Sequence, residues 1–276
     1  MEQPRRLRIC LIGAGNVASH LAPALAGVAD LVQIVSRGGA SARRLAEGIP
    51  GCAAAEGTEG LVPDADLYLI ATADDAIAGI VSSTPDFPGV WAHTSGSVPV
   101  EVFAGHKSRY GSFYPLQTFS RDVPVDMRQV PFFIEGNTPQ VTEMLAGLAG
   151  RISDSVTLAD SALRHDLHVA AVFACNFVNQ LWADADALLR RRGLNIGYLS
   201  PLIAATAGKL ADASPADAMT GPARRGDLHV IENHLASLPP ELAGTYRLLS
   251  QRILDIYHPG LKIGAKPTES QPENNE

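Results

Sequence analysis

At 276 residues, 46% of them hydrophobic and 18% charged, the chain has an ordinary globular composition and the length for two domains or one large one. A net charge of -7 argues against nucleic acid as a main partner, because a phosphate backbone calls for a basic surface. No run approaches the roughly 18 apolar residues a membrane span needs.

The chain opens with Arg5, Arg6 and Arg8 before an apolar patch, which imitates a secretory signal. Gly13, Gly15, Asn16 and His20 interrupt that patch, and a different reading accounts for them. Ile9 to Ile12 reads as a strand, Gly13-Ala14-Gly15-Asn16-Val17-Ala18 as a glycine turn, and Leu21, Leu25 and Val28 as the face of a helix. Strand, glycine turn and helix in that order are the context of a dinucleotide-binding fingerprint. Gly13 suits the tight turn, Gly15 the close approach of a pyrophosphate, and Ala18 the packing of helix on strand. The N–H groups around Asn16 and Val17 would face the phosphates at the helix N-terminus. The plain alternative is a βα turn with no ligand.

A second strand, Leu31 to Val35, ends at Ser36-Arg37 and leads to a helix holding Arg43, Arg44 and Leu45. NAD enzymes usually carry an acidic residue about 20 residues past the glycines, for the ribose hydroxyls. A hydroxyl and a guanidinium stand there instead, which favours the 2′-phosphate of NADP. A solvated arginine is the alternative. Asp66 to Ala71 reads as the next strand, tipped by Thr72-Ala73 and followed by a helix from Ala76; Gly89 to Ala92 follows, tipped by His93-Thr94-Ser95-Gly96-Ser97. Thr72, Ala73, Thr94 and Ser95 would then lie at carboxyl ends of parallel strands, where such sheets bind ligands. The hydroxyls would serve equally well as helix or turn caps. Gly111 to Phe119 reads as an aromatic loop in which Tyr114 and Gln117 either face a substrate or pack as a lid. Pro131 to Glu135 is a strand, Gln140 to Ala149 a helix, and a short strand lies near Val156.

Strands alternating with helices imply an α/β, doubly wound parallel sheet over residues 1–160. From Ser161 to Arg192 neither proline nor glycine breaks a helical pattern, and Gly193 marks its end. Further helices are expected at Tyr198–Ala211, Asp227–Ser237 and Glu241–Tyr257. This makes residues 161–263 an all-helical domain and the polar residues 264–276 a disordered tail. On the long helix His165, His168, Val172, Asn176 and Asn179 fall within an arc of about 80°. A polar stripe among apolar neighbours needs partners, either a ligand or a structural network. His168 suits proton transfer because imidazole titrates near neutral pH, with Tyr114 as its rival. Asn176 would orient a carbonyl or imine. A helix apolar nearly all round from Val169 to Trp182 also calls for cover, and a homodimer through the helical domain would supply it.

Other chemistries find little footing. Lysine occurs only at 107, 209, 262 and 266, which limits any catalytic lysine. Cys10, Cys52 and Cys175 are odd in number and widely spaced, as expected of reduced thiols in a cytoplasmic protein. His229-Val-Ile-Glu-Asn-His234 misses the zinc-helix pattern, because Asn stands at 233, and no metal site is expected.

The motifs Gly13 to Ala18, His93 to Ser97, Tyr114 to Phe119, His168 to Asn176 and Thr220 to Asp227 together resemble a family up to about Leu261. Its members join a Rossmann-like domain to a C-terminal domain of unknown function 2520. They are related to pyrroline-5-carboxylate reductase and prephenate dehydrogenase. The resemblance implies a nicotinamide-binding domain followed by a dimerising helical domain like that of 6-phosphogluconate dehydrogenase, with a substrate cleft between them. Thr220-Gly-Pro is placed like a substrate-lining segment of the reductase, and Tyr114-Pro-Leu like a His-Pro-Met segment of the dehydrogenase. Gln117, Asn179, Thr220, Arg224 and Arg225 are the substrate candidates, the arginines for a carboxylate. The lysine that β-hydroxyacid dehydrogenases carry on the long helix is missing. The expected activity is hydride transfer between NADP(H) and a small carbonyl, imine or hydroxy compound. An NADP(H)-binding sensor or partner protein without turnover is the alternative.

Overall fold

The computed structural model describes residues 5–264; the polar tail beyond Gly264 lies outside them. In chain order, β1 is Arg8–Ile12, α1 Asn16–Val28, β2 Asp30–Ser36, α2 Ala40–Ala46, β3 Ala53–Glu56, β4 Leu67–Ile70, α3 Asp74–Ser83 and β5 Val90–His93. There follow β6 Tyr110–Pro115, β7 Phe132–Gly136, α4 Pro139–Ala149 and β8 Val156–Leu158. The eight strands form one sheet in the order β3-β2-β1-β4-β5-β6-β7-β8.

Alternate residues of the central strands face opposite sides, as the pleat requires. Ile9 and Leu11 join a core with α1, α2 and α4, through Ala18, Leu21, Ala42, Val141 and Leu145. Cys10 and Ile12 join a second core with α3, through Ile77, Val81 and the aromatic pair Tyr68 and Trp91. The sheet is therefore covered on both faces, as a doubly wound fold should be. Burial pushes the Cys10 thiol up to about 12 and the Cys52 thiol up to about 11, and all three cysteines are free.

Two strands depart from the reading of the sequence. β3 is Ala-Ala-Ala-Glu, weak in β-propensity, and it holds an edge through β2 alone. β6 is the stretch read as an aromatic loop, and it is a buried central strand. A Cβ at Gly111 would lie 2.1 Å from the Glu135 carbonyl oxygen, so the glycine that suggested a loop is what lets β7 approach. β6 and β7 pair antiparallel, the one departure among the described strands from an otherwise parallel, doubly wound sheet. Their connection holds only the short 3₁₀ turn Met127–Gln129, too little for a crossover helix.

The helices are α5 Ser161–Ala171, a π-helical segment Val172–Phe177, α6 Val178–Arg190, α7 Ser200–Gly208, α8 Pro222–Arg225, α9 Leu228–Ser237 and α10 Pro240–Tyr257. Asp160 caps α5 by accepting from the Leu163 N–H at 2.8 Å, and Gly193 ends the long helical stretch at φ +74. Asp227 precedes α9 but makes no side-chain cap; its carboxylate pairs with Arg225 instead. The chain divides into two compact units, Met1–Val178 and Asn179–Glu276. The division falls inside the long helical stretch rather than at residue 160. The second unit has a small core of Ala223, Ile231 and Leu254. No described helix is long and apolar enough to cross a membrane.

Candidate cofactor-binding and catalytic site

The glycine turn is built as its sequence demands. Gly13 sits at φ +123, and a Cβ there would lie 2.2 Å from the Ala71 carbonyl oxygen, so no larger residue fits. Its N–H donates to the Val35 carbonyl at 2.8 Å, tying the turn to the end of β2. Gly15, the N-cap of α1, has nothing within 4 Å of a built Cβ, and no side chain caps the helix. The first N–H groups of α1 are left for an outside acceptor. Ala18 is fully buried against the sheet.

Over this turn opens a cavity of about 930 Å³ within the first unit. Gly13, Gly15, Asn16 and Val17 line it, as do Ser36 and Arg37 at the end of β2 and Thr72 and Ala73 at the end of β4. Three predicted stretches thus meet at the carboxyl edge of the sheet. Ser41 and Thr58 also line it and were missed, because α2 is short and Thr58 follows the unforeseen β3. Ser36 has a second task, since its Oγ accepts from the Ala42 N–H at 3.2 Å.

The tip of β5 departs from expectation. Thr94 and Ser95 are buried and do not line this cavity. Ser95 Oγ accepts from the N–H groups of Ser97 and Val98 at 3.1 and 3.0 Å, and Thr94 Oγ1 reaches the Ile70 carbonyl. Ser95 thus caps its own turn, and Thr94 ties that turn to the end of β4. His93 below them is fully buried, stacks on Phe103 and accepts the Ser95 N–H on Nδ1. Burial, reinforced by the Arg164 guanidinium, pushes its imidazole down to about 3, so it is neutral.

Tyr114 and His168 are 54 residues apart in the chain and lie together: Tyr114 Oη and His168 Nδ1 are 3.2 Å apart. A Cβ on Gly96 would come within 2.8 Å of both side chains, so this glycine makes room for the pair. Burial raises the Tyr114 phenol above its usual range; Arg164 opposes the shift and Asp74 adds to it. Arg164, one turn before His168, is fully buried. It pairs with Glu135 on β7 and donates to the Val98 carbonyl at 2.7 Å and to Ser161 Oγ at 3.1 Å. Ser161 Oγ in turn donates to Glu135 at 2.8 Å. This network bolts the start of α5 to β7 and to the turn after β5. Arg164 was overlooked, since an arginine on a helix gives no local sign of burial.

The rest of the expected stripe is altered by the π segment. One extra residue in a π turn rotates all later positions by about 100°. Asn176 is thereby brought to within about 20° of His168, while Asn179 swings to about 80° from it on the other side. The helix is also far less buried than its apolar content suggested: His165, Asn176, Asn179 and most apolar neighbours are exposed. Gln117 is exposed too, its Oε1 taken by the Thr118 N–H. Asn179, Thr220, Arg224 and Arg225 belong to the second unit. There Thr220, Arg224 and Arg225 line a separate cavity of about 460 Å³ with His258. Arg224 lies over the Tyr257 ring and Arg225 pairs with Asp227. Among the described residues no cluster could hold a metal; His229 bonds Asn233, and His234 bonds Tyr246.

Residues 1–115 match the model of a Rossmann-like domain, and residues 130–253 that of a domain of unknown function (DUF2520). A crystal structure from Bacteroides fragilis, provisionally named an NADP oxidoreductase, is similar at 40% identity and TM-score 0.83, over 90% of this chain and 98% of that one. The chain therefore belongs to the family that joins a Rossmann-like domain to a DUF2520 domain. Two further structures share the fold at lower identity. A reductive aminase from Aspergillus terreus, solved with NADPH and ethyl-5-oxohexanoate, has 16% identity and TM-score 0.67, with 94% and 97% of the two chains covered. A 1-pyrroline-5-carboxylate reductase from Streptococcus pyogenes has 14% and 0.60, with 92% and 99% covered. A search of curated proteins finds no sequence match.

Proposed function

We propose that the protein is an NADP(H)-dependent oxidoreductase acting on a small carbonyl, imine or hydroxy compound. The observation that carries this reading is the single cavity in which the Gly13–Val17 turn, Ser36-Arg37 and Thr72-Ala73 meet. Its size suits a dinucleotide, and the glycine turn leaves helix N–H groups open to phosphate. The name of the Bacteroides fragilis relative agrees with it. The bound nicotinamide would supply the hydride. The chain's part is to bind, to orient and to manage a proton. Tyr114 keeps its phenolic proton at neutral pH, as a phenol ordinarily does and as burial reinforces, and it shares a hydrogen bond with His168 Nδ1. We read the two as one proton-handling couple rather than as rivals. Asn176, on the His168 face of the helix, would orient the substrate.

The homodimer is supported by a separate observation. Phe173 and Phe177 pack edge to face yet stay exposed, and Tyr198, Leu202 and Leu248 are each well over half exposed. Side chains of this size bury themselves in an association, and a second copy would cover them.

Fluorescence titration tests the cofactor: NADPH should bind more tightly than NADH, and Arg37→Ala should weaken NADPH by about 1–3 kcal/mol while sparing NADH. Equal curves for both cofactors with the unmodified protein would reject the NADP assignment. A metabolite screen for NADPH oxidation and NADP reduction tests turnover. On the substrate it finds, His168→Asn and Tyr114→Phe should each lower kcat by roughly 10²–10⁴ with NADPH affinity kept. Binding without turnover on any compound would favour the sensor.

A further inference from the structure

The geometry points to Arg121 as a residue that binds the cofactor's diphosphate, an inference that rests on the cofactor reading above. NADPH brings roughly three to four negative charges, two on the diphosphate and the rest on the 2′-phosphate. The charged residues lining the cavity are Arg37 and Asp75, which cancel. Arg37 stands at the end of β2 with Ser36, at the adenosine side. A helix N-terminus contributes only about half a positive charge. The diphosphate therefore lacks a full cation among the lining residues.

Arg121 supplies one beside the turn. Its Nη2 donates to the Ala14 carbonyl at 2.9 Å, and Ala14 is the central residue of the glycine turn and itself lines the cavity. The contact spans 107 residues of sequence and is held from both partners. Two residues earlier Phe119 is buried in the core and packs on His20 of α1 with ring centroids 5.1 Å apart. His20 Nε2 and the Ser120 carbonyl oxygen are 3.0 Å apart. The connection from β6 to β7 is thus strapped across the start of α1, and the strap delivers Arg121 to the turn. The guanidinium is exposed and makes no ion pair among the described residues, so its remaining donors are open to an anion.

The test titrates NADPH and NADH against the unmodified protein and against Arg121→Ala, Arg121→Gln and Arg121→Lys. A diphosphate contact is common to both nucleotides, so Arg121→Ala should weaken both by the same factor, roughly ten- to a hundredfold. Arg121→Gln retains a donor for Ala14 but no charge; it should bind as poorly as the alanine variant and show a shallower dependence of affinity on salt. Arg121→Lys should recover part of the loss. Unmodified affinity in Arg121→Gln would reduce Arg121 to a pin for the turn and overturn the proposal. So would a loss confined to NADPH, which would move the contact to the 2′-phosphate. Failure of the unmodified protein to bind either nucleotide would remove the cofactor reading and this inference together, whereas a defect or its absence in the variants alone concerns Arg121.

Discussion

The sheet and the helices that follow it bury their apolar side chains to very different degrees. The sheet is packed on both faces, and even its polar residues His93 and Ser112 are sealed inside. Beyond Ser161 Arg164 is the only residue of the long helix that is buried, and among the described residues the second unit closes around a core of Ala223, Ile231 and Leu254. Apolar area removed from water contributes about 25 cal/mol per Å². The sheet gains that within one chain, while much of the helical surface does not. The difference teaches that the sheet carries the means of its own stability within one chain, whereas the helical surface leaves apolar side chains exposed, which is the ground of the proposed association.

The largest effect is expected where the sheet is most tightly committed. Arg164→Met leaves the Glu135 carboxylate largely buried without its partner, which should cost roughly 3–5 kcal/mol in urea unfolding. Replacing both partners, as Arg164→Met with Glu135→Leu, should recover a good part of it. A single variant as stable as the parent would show the network to be peripheral.

The next effect depends on pH. Folded His93 stays neutral down to about 3, whereas an unfolded histidine takes up a proton near 6.5. Between these values the unfolded chain holds more protons. Stability is therefore intact above the unfolded value and is lost as pH falls, by up to about 1.4 kcal/mol per pH unit. Urea midpoints followed into acid should fall more gently in His93→Gln than in the parent; parallel slopes would contradict the assignment.

The helical surface should respond in the opposite sense. Phe173→Glu and Leu248→Glu alter exposed positions, so each should change the stability of an isolated chain by no more than about 0.5 kcal/mol. Light scattering should nevertheless show the proposed dimer giving way to a monomer. A parent protein that is already monomeric at micromolar concentration would remove the contrast between the two regions.

What the sequence by itself determined is the local part of this protein. The order of strand, glycine turn and helix at Ile9 to Val28, the Ser36-Arg37 tip and the helical half all follow from short-range spacing, because turns, caps and periodicity are set by near neighbours. Only the tertiary structure decided the rest. β6 looked like a loop because Gly111 and Pro115 break a local pattern, yet the glycine answers to Glu135, 24 positions away (135 − 111). The π turn at Val172–Phe177 shifts the helix register without any proline or glycine to announce it. Tyr114 meets His168, Glu135 meets Arg164, and Arg121 meets Ala14 across 54, 29 and 107 residues. Such pairings depend on strand order and on which face each residue presents, and no window of sequence contains both partners.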